Sequence, residues 1–221
     1  MAPRDDGTAP ENQGRTALIR AVLLVFLPFS GGYFLSYLFR SVNAVISGRL
    51  IGELGLTASD LGLLTSAYFL AFASFQLPLG LLLDRFGPRR VQAGLLLSAA
   101  LGSAVFALGE DLMTLIAGRA LIGLGVAGGL MASFKAITLW FPEARWPLVN
   151  GCFLAIGGLG AITATAPVDQ AMQFVGWRGV FVVLAVATLL VSVTIFLVVP
   201  EKPRSGAPVR LREQLAGLKT I

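Results

Sequence analysis

Apolar residues in this chain do not alternate with polar ones; they gather in long stretches at 21–39, 61–83, 91–109, 120–134, 146–168 and 179–200. At a rise of about 1.5 Å per residue, a helix of roughly 20 such residues crosses the hydrocarbon layer of a bilayer. A membrane β-barrel would instead need strands of about ten residues alternating apolar with polar, and these stretches are continuously apolar. The pattern predicts an all-α membrane protein with six transmembrane helices, at 20–48, 61–83, 89–109, 112–140, 149–170 and 177–199. Residues 1–19 read as a disordered cytoplasmic tail, 20–200 as the bundle, and 201–221 as a basic cytoplasmic connector that ends like a chain cut short.

Composition strengthens this picture. Only 13% of the residues are charged and 56% are hydrophobic, with a mean hydropathy of +0.80, too little polarity to cover a water-soluble surface. The net charge of +5 does not signal nucleic-acid binding, because the basic residues are dispersed over loops. An even number of spans puts both termini on one side, and Lys and Arg in short loops decide which. With the N-terminus inside, the cytoplasmic set is Arg4, Arg15, Arg20, Arg85, Arg89, Arg90, Arg145, Lys202, Arg204, Arg210, Arg212 and Lys219, against Arg49 and Arg178 outside. That asymmetry predicts a multi-pass protein of the plasma membrane, the inner membrane in a bacterium, with both termini cytoplasmic. The lone Cys152 excludes an intrachain disulfide and reads as a small apolar packer. There is no histidine and no paired nucleophile and base, so an enzyme is not expected, and neither a cofactor nor a metal is implied.

Only three charges fall well inside the predicted spans and not at their ends: Arg40, Arg119 and Lys135. An unpaired charge at the bilayer centre costs about 2.5–3.5 kcal/mol on insertion scales, so each needs an offset. Tyr33, Tyr37, Arg40 and Ala44 recur at helical spacing with Asn43 beside them, a stripe suited to a water-filled cavity. A guanidinium there offers a planar fork to a carboxylate or phosphate. Arg40 therefore reads as a substrate contact or as a side chain snorkelling to the outer surface. Arg119 reads equally as a substrate contact and as a structural partner of backbone carbonyls. Lys135, near the cytoplasmic end, reads as snorkelling. No Asp or Glu lies in the middle of a span, which argues against a proton-coupling carboxylate here.

Between the second and third spans stands Gly80-Leu-Leu-Leu-Asp84-Arg85-Phe86-Gly87-Pro88-Arg89-Arg90. This segment resembles the cytoplasmic signature loop of the major facilitator superfamily, with Pro88 interposed before the basic pair. Physically, Gly80 would let a neighbouring helix approach, Gly87 would permit a left-handed turn, and Asp84 would seek an arginine or a helix N-terminus. Arg119-Ala-Leu-Ile-Gly123-Leu-Gly125 resembles the family's fourth-helix pattern, and Gly125 with Gly129 offers a small-xxx-small packing face. Ser36-Tyr37-Leu38-Phe39-Arg40 looks like the first helix of organic-anion and organophosphate members.

The resemblance implies half of a twelve-helix transporter, built as two inverted three-helix repeats, that carries a small anionic substrate by alternating access. Arg40, Tyr37, Tyr33, Asn43 and Arg119 would then contact substrate, and Gly80, Asp84, Arg85, Gly87, Arg89 and Arg90 would govern conformation. It also implies the lipid bilayer and a second six-helix half as partners. Two other functions compete. A drug or cation exporter would want acidic cavity residues, and a membrane sensor or assembly subunit would bind a ligand and move nothing.

Overall fold

The computed structural model describes residues 9–201, with side chains from Gly14 onward. Helix α1 (Ala9–Ala21) runs through a π-helical turn, Val22–Phe26, into α2 (Leu27–Leu54). The helix thus starts at Ala9, inside the segment expected to be a disordered tail. Next come α3 (Ala58–Ala107), α4 (Leu112–Val126), α5 (Gly129–Trp140), α6 (Trp146–Thr163) and α7 (Ala166–Val198). Among the described residues, five continuous helices are long and apolar enough to span a membrane, α4 and α5 counting as one. The architecture among the described residues is all-helical.

The difference from six spans comes from α3, whose 50 residues contain one non-helical residue, Gly87, at φ 78° and ψ 163°. A positive φ strains any residue with a Cβ, so glycine is the residue that turns the chain there, and Pro88 then starts the next helix in its favoured first-turn position. The turn falls in the loop that the sequence places between the second and third spans. Gly176, at φ 68°, breaks α7 in the same way, so the residues from Trp177 onward form a separate rod.

Cross-helix pairs give the directions of the segments. Residues 88–107 run antiparallel to α4, with Gly125 against Ala99 and Gly118 against Phe106. They also run antiparallel to the end of α7, where Ser103 Oγ donates to Phe181 O at 2.8 Å and Ser192 Oγ to Ala93 O at 2.7 Å. The first part of α3 runs parallel to α4 and α5, since Tyr68 meets Gly123 and Gln76 donates to Ala127 O. Parallel packing also joins α2 and the π-helical turn before it to α6, through Phe26 and Tyr33 on Phe153 and Phe34 against Gly160. Successive segments therefore alternate in direction.

Local chemistry sets the helix ends. Gly55 closes α2 in the left-handed conformation at φ 65°. Thr57 and Asp60 form a reciprocal capping box at the start of α3. Asp111 caps α4 by accepting from the Thr114 hydroxyl at 2.7 Å and the Thr114 backbone N–H at 3.0 Å, bonds that hold its carboxyl below the usual range. Close packing rests on small residues. A Cβ on Gly125 would sit 2.2 Å from the backbone nitrogen of Ala99, so these helices touch main chain to main chain. Gly80 behaves otherwise than expected, because nothing lies within 4 Å of the space its Cβ would take. It sits on an exposed face that no helix among the described residues covers. Cys152 is likewise exposed rather than packed.

Candidate functional site

Two arginines lie inside the bundle, each against aromatic rings of the first part of α3. Arg119, on α4, is only 1% exposed. One terminal nitrogen donates to Phe39 O at 3.3 Å, its guanidinium lies 5.2 Å from the Tyr68 ring centroid and 5.8 Å from that of Phe106, and Nε has no partner. Arg40, on α2, is half-buried, with its guanidinium 5.2 Å from the Tyr37 ring, 5.3 Å from Phe72 and 6.0 Å from Phe69. Its Nε is also buried without a partner.

Around them stand polar atoms that are only partly satisfied. Asn43 is 8% exposed, and its Nδ2 donates to Thr65 Oγ1 at 2.9 Å while Oδ1 accepts nothing. Tyr37 Oη accepts a hydrogen bond from the Tyr33 hydroxyl at 3.3 Å. Tyr33 departs from the expected cavity-facing stripe: its ring is 3% exposed, stacked on Phe153 at 4.3 Å and set against Gly157. A glycine on α6 leaves room for that ring, so packing holds it rather than solvent.

Tyr68 was not singled out in the sequence, yet it is central. It is fully buried, its hydroxyl has no partner, and its ring lies against Arg119 beside the Arg40 cluster. A signal existed, since the chain has three tyrosines and Tyr68 alone lies outside the first span. Every ion pair among the described residues sits at an end of the bundle: Arg90 with Glu201, Lys135 with Asp84, and Arg178 with Glu53. Neither Arg40 nor Arg119 pairs with a carboxylate among the described residues. Buried cations without counter-charge are costly, and an anion that entered between the helices would meet donors already desolvated.

The signature loop is built differently from expectation. Asp84 pairs with Lys135, on α5, rather than with an arginine, and Lys135 is thereby a partner rather than a snorkelling side chain. The reason is direction: the parallel run of α3 beside α5 brings these two residues to one level. Arg89 donates through Nε at 2.8 Å to Phe196 O, with its guanidinium 5.2 Å from the Phe196 ring. Arg90 Nε meets Glu201 at 2.7 Å, and Arg85 lies over Phe86. Arg89 and Arg90 thus fasten the turn after Gly87 to the end of α7 and the residue stretch beyond it. At the opposite end, Glu53 accepts from the Trp177 indole at 2.8 Å, while Arg178 donates to Gly109 O at 3.2 Å and stacks on Trp177.

An all-helical bundle of alternating apolar rods, with uncompensated cations inside and ion pairs confined to its ends, is the construction of a membrane transporter. Residues 29–220 match the Major Facilitator Superfamily, and the chain belongs to that family of transporters rather than to an enzyme family. It is 31% identical over 158 residues to a probable sulfoacetate transporter of Cupriavidus necator, covering 71% of this chain and 36% of that protein. Against a probable L-galactonate transporter of Escherichia coli it is 31% identical over 174 residues, covering 78% of this chain and 37% of the relative. The fold is that of a bacterial homologue of the human lysosomal transporter Spinster, solved in an inward-facing and occupied conformation. That likeness has a TM-score of 0.72 at 21% identity and covers 81% of this chain and 44% of the other. The chain therefore spans well under half the length of these proteins.

Proposed function

We propose that this chain is the N-terminal half of a transporter that moves a small organic anion across the plasma membrane by alternating access, with Arg40 and Arg119 as the cations that receive it. The observation that carries the reading is the pair of guanidiniums in the bundle with no carboxylate partner among the described residues. The relatives are consistent with it, being named for sulfoacetate and galactonate, both organic anions. Tyr37, Asn43 and Tyr68 add hydroxyl and amide groups for an oxygen-rich substrate, and Tyr33 holds Tyr37 in place. A cation exporter would need acids where this bundle has bases.

In this reading the turn at Gly87 separates the second and third of six spans, arranged as two inverted repeats, and both termini are cytoplasmic. A second six-helix half completes the cavity. The Asp84–Lys135 pair and the Arg89 and Arg90 contacts close the cytoplasmic end and exchange partners as the transporter turns. The test is uptake of dicarboxylates, sulfonates and sugar acids into proteoliposomes holding the longest product of the gene, beside Arg40→Lys. One accumulated anion, lost in Arg40→Lys while the protein still inserts, is the expected result. Uptake of lipophilic cations instead, or normal transport by Arg40→Lys, would overturn the anion assignment.

A further inference from the structure

The helix that begins before Gly14 runs to Leu54, 41 residues from Gly14 onward, about 60 Å at 1.5 Å per residue and roughly twice the hydrocarbon thickness. Its first turns therefore project past the apolar layer. There they stand against the connector between α5 and α6, and the two enclose an open cavity of about 640 Å³. That lies within the range of about 300–1,000 Å³ common for small-molecule sites. Arg15 and Leu18 line one side, and Trp140, Pro142 and Arg145 the other.

Two guanidiniums from separate parts of the chain thus border one space, and no carboxylate is among its walls. Neither takes part in an ion pair among the described residues. Glu143 lies in the connector but does not line the cavity. The connector is fixed in place: the Trp146 indole donates to Phe141 O at 2.9 Å, and Pro142 opens a short 3-10 turn, Glu143–Arg145, that ends in Arg145. Trp140, at the end of α5, is half-buried, and the end of a span is where indoles commonly settle in a bilayer interface. This arrangement differs from the transport site in place and in accessibility, since Arg15 and Arg145 are both exposed.

We propose that this cavity binds a phosphate group, gripped between the planar forks of Arg15 and Arg145, and that the group is the headgroup phosphate of an anionic phospholipid. Guanidinium pairs recognise phosphate through bidentate hydrogen bonds, and basic cavities at the ends of spans sit where lipid phosphates are concentrated. Leu18, Trp140 and Pro142 give the glycerol and upper acyl region an apolar wall.

The test is native mass spectrometry of the chain released from nanodiscs of phosphatidylcholine doped with phosphatidylglycerol. The wild-type chain is expected to retain phosphatidylglycerol selectively, and Arg15→Gln/Arg145→Gln to lose about tenfold or more of that retention. The control Arg20→Gln/Arg85→Gln removes two charges outside the cavity and is expected to keep the lipid. Circular dichroism of both variants verifies that helix content is unchanged. Equal loss in the control would show a general surface field and overturn the site, as would absence of selectivity in the wild type. Displacement of the lipid by inorganic phosphate, or stoichiometric binding of inorganic phosphate to delipidated protein, would show that the source is a soluble anion and overturn the lipid assignment.

Discussion

Replacing Arg119 by methionine separates a cation kept for structure from one kept for a ligand. Methionine fills a similar space and suits an apolar wall, so the change removes charge without leaving a large cavity. Holding the charge inside the bundle costs about 2.5–3.5 kcal/mol. Against this stand one long charged hydrogen bond to Phe39 O, worth about 1.5 kcal/mol at the lower end of its class, and two ring faces, Tyr68 at 5.2 Å and Phe106 at 5.8 Å. Both rings lie near the outer limit of a cation–π contact and so contribute about 0.5–1 kcal/mol each, the low end for such pairs. Cost and offset nearly cancel. Arg119→Met is therefore expected to change stability by less than about 1.5 kcal/mol in either direction, a shift within about 5 °C for a chain of this size.

An anion changes that balance in the wild-type chain only. A transported anion at a hundred times its dissociation constant adds about 2.7 kcal/mol to a state that binds it, and the methionine variant has lost the donor that would collect this gain. The assay is fluorescence-detected thermal unfolding in detergent, with and without a panel of carboxylates and sulfonates. A raised midpoint in the wild type and a flat response in Arg119→Met is the expected pair of results. A fall far beyond 5 °C in the variant without anion would refute the cancellation and make Arg119 a structural tie. An equal anion response in both proteins would refute its role in the site.

Gly125→Val is expected to prevent correct assembly, since a side chain would enter the backbone of Ala99 at a cost above about 3 kcal/mol, and a monodisperse peak in fluorescence-detected gel filtration would contradict this. Asp84→Ala and Lys135→Ala should show a coupling of no more than about 1 kcal/mol in a double-mutant cycle of thermal stability, because both side chains are partly exposed. The charge swap Asp84→Lys/Lys135→Asp should recover uptake that either single reversal loses. For Asp111, whose carboxyl is held below its usual range by Thr114, the folded chain binds the proton less readily than the unfolded one. The stabilisation is present above the ordinary carboxylate value and is lost as pH falls through the lower folded value. The gap in melting temperature between wild type and Asp111→Ala should accordingly narrow in strong acid, and a gap independent of pH would contradict the assignment.

The all-helical membrane architecture was legible because lipid leaves little choice: a segment that cannot hydrogen-bond to solvent must satisfy its backbone internally. Gly87 was legible for an equally local reason, a loop turn that needs a positive φ. What escaped was everything that depends on the level at which helices meet. Asp84 announced its need for a partner, but only the parallel run of α3 and α5 selects Lys135 over the nearby arginines. Tyr33 and Tyr37 share a helical stripe and both lie against Gly157 on α6, yet Tyr33 is buried there while Tyr37 stays half-exposed. Gly80 could not be judged without knowing that its face is uncovered in this part of the protein.

The arginines show the same division most clearly. Composition and span position mark Arg40 and Arg119 as expensive residues, and that expense is a property of each side chain alone. Whether the expense is already offset depends on the other helices, where the described residues supply rings and a single carbonyl but no acid. Tyr68 was overlooked because a neutral hydroxyl costs little until the fold buries it without a partner. Its buried hydroxyl, on a ring that lies against Arg119, is the feature that would join two separate liabilities in the proposed site. An acid placed in this space would offset one of the two positive charges and leave the other with less to offer an anion, so Tyr68→Glu should stabilise the empty bundle at the same time as it abolishes anion uptake, opposite effects that a purely structural cluster would not produce.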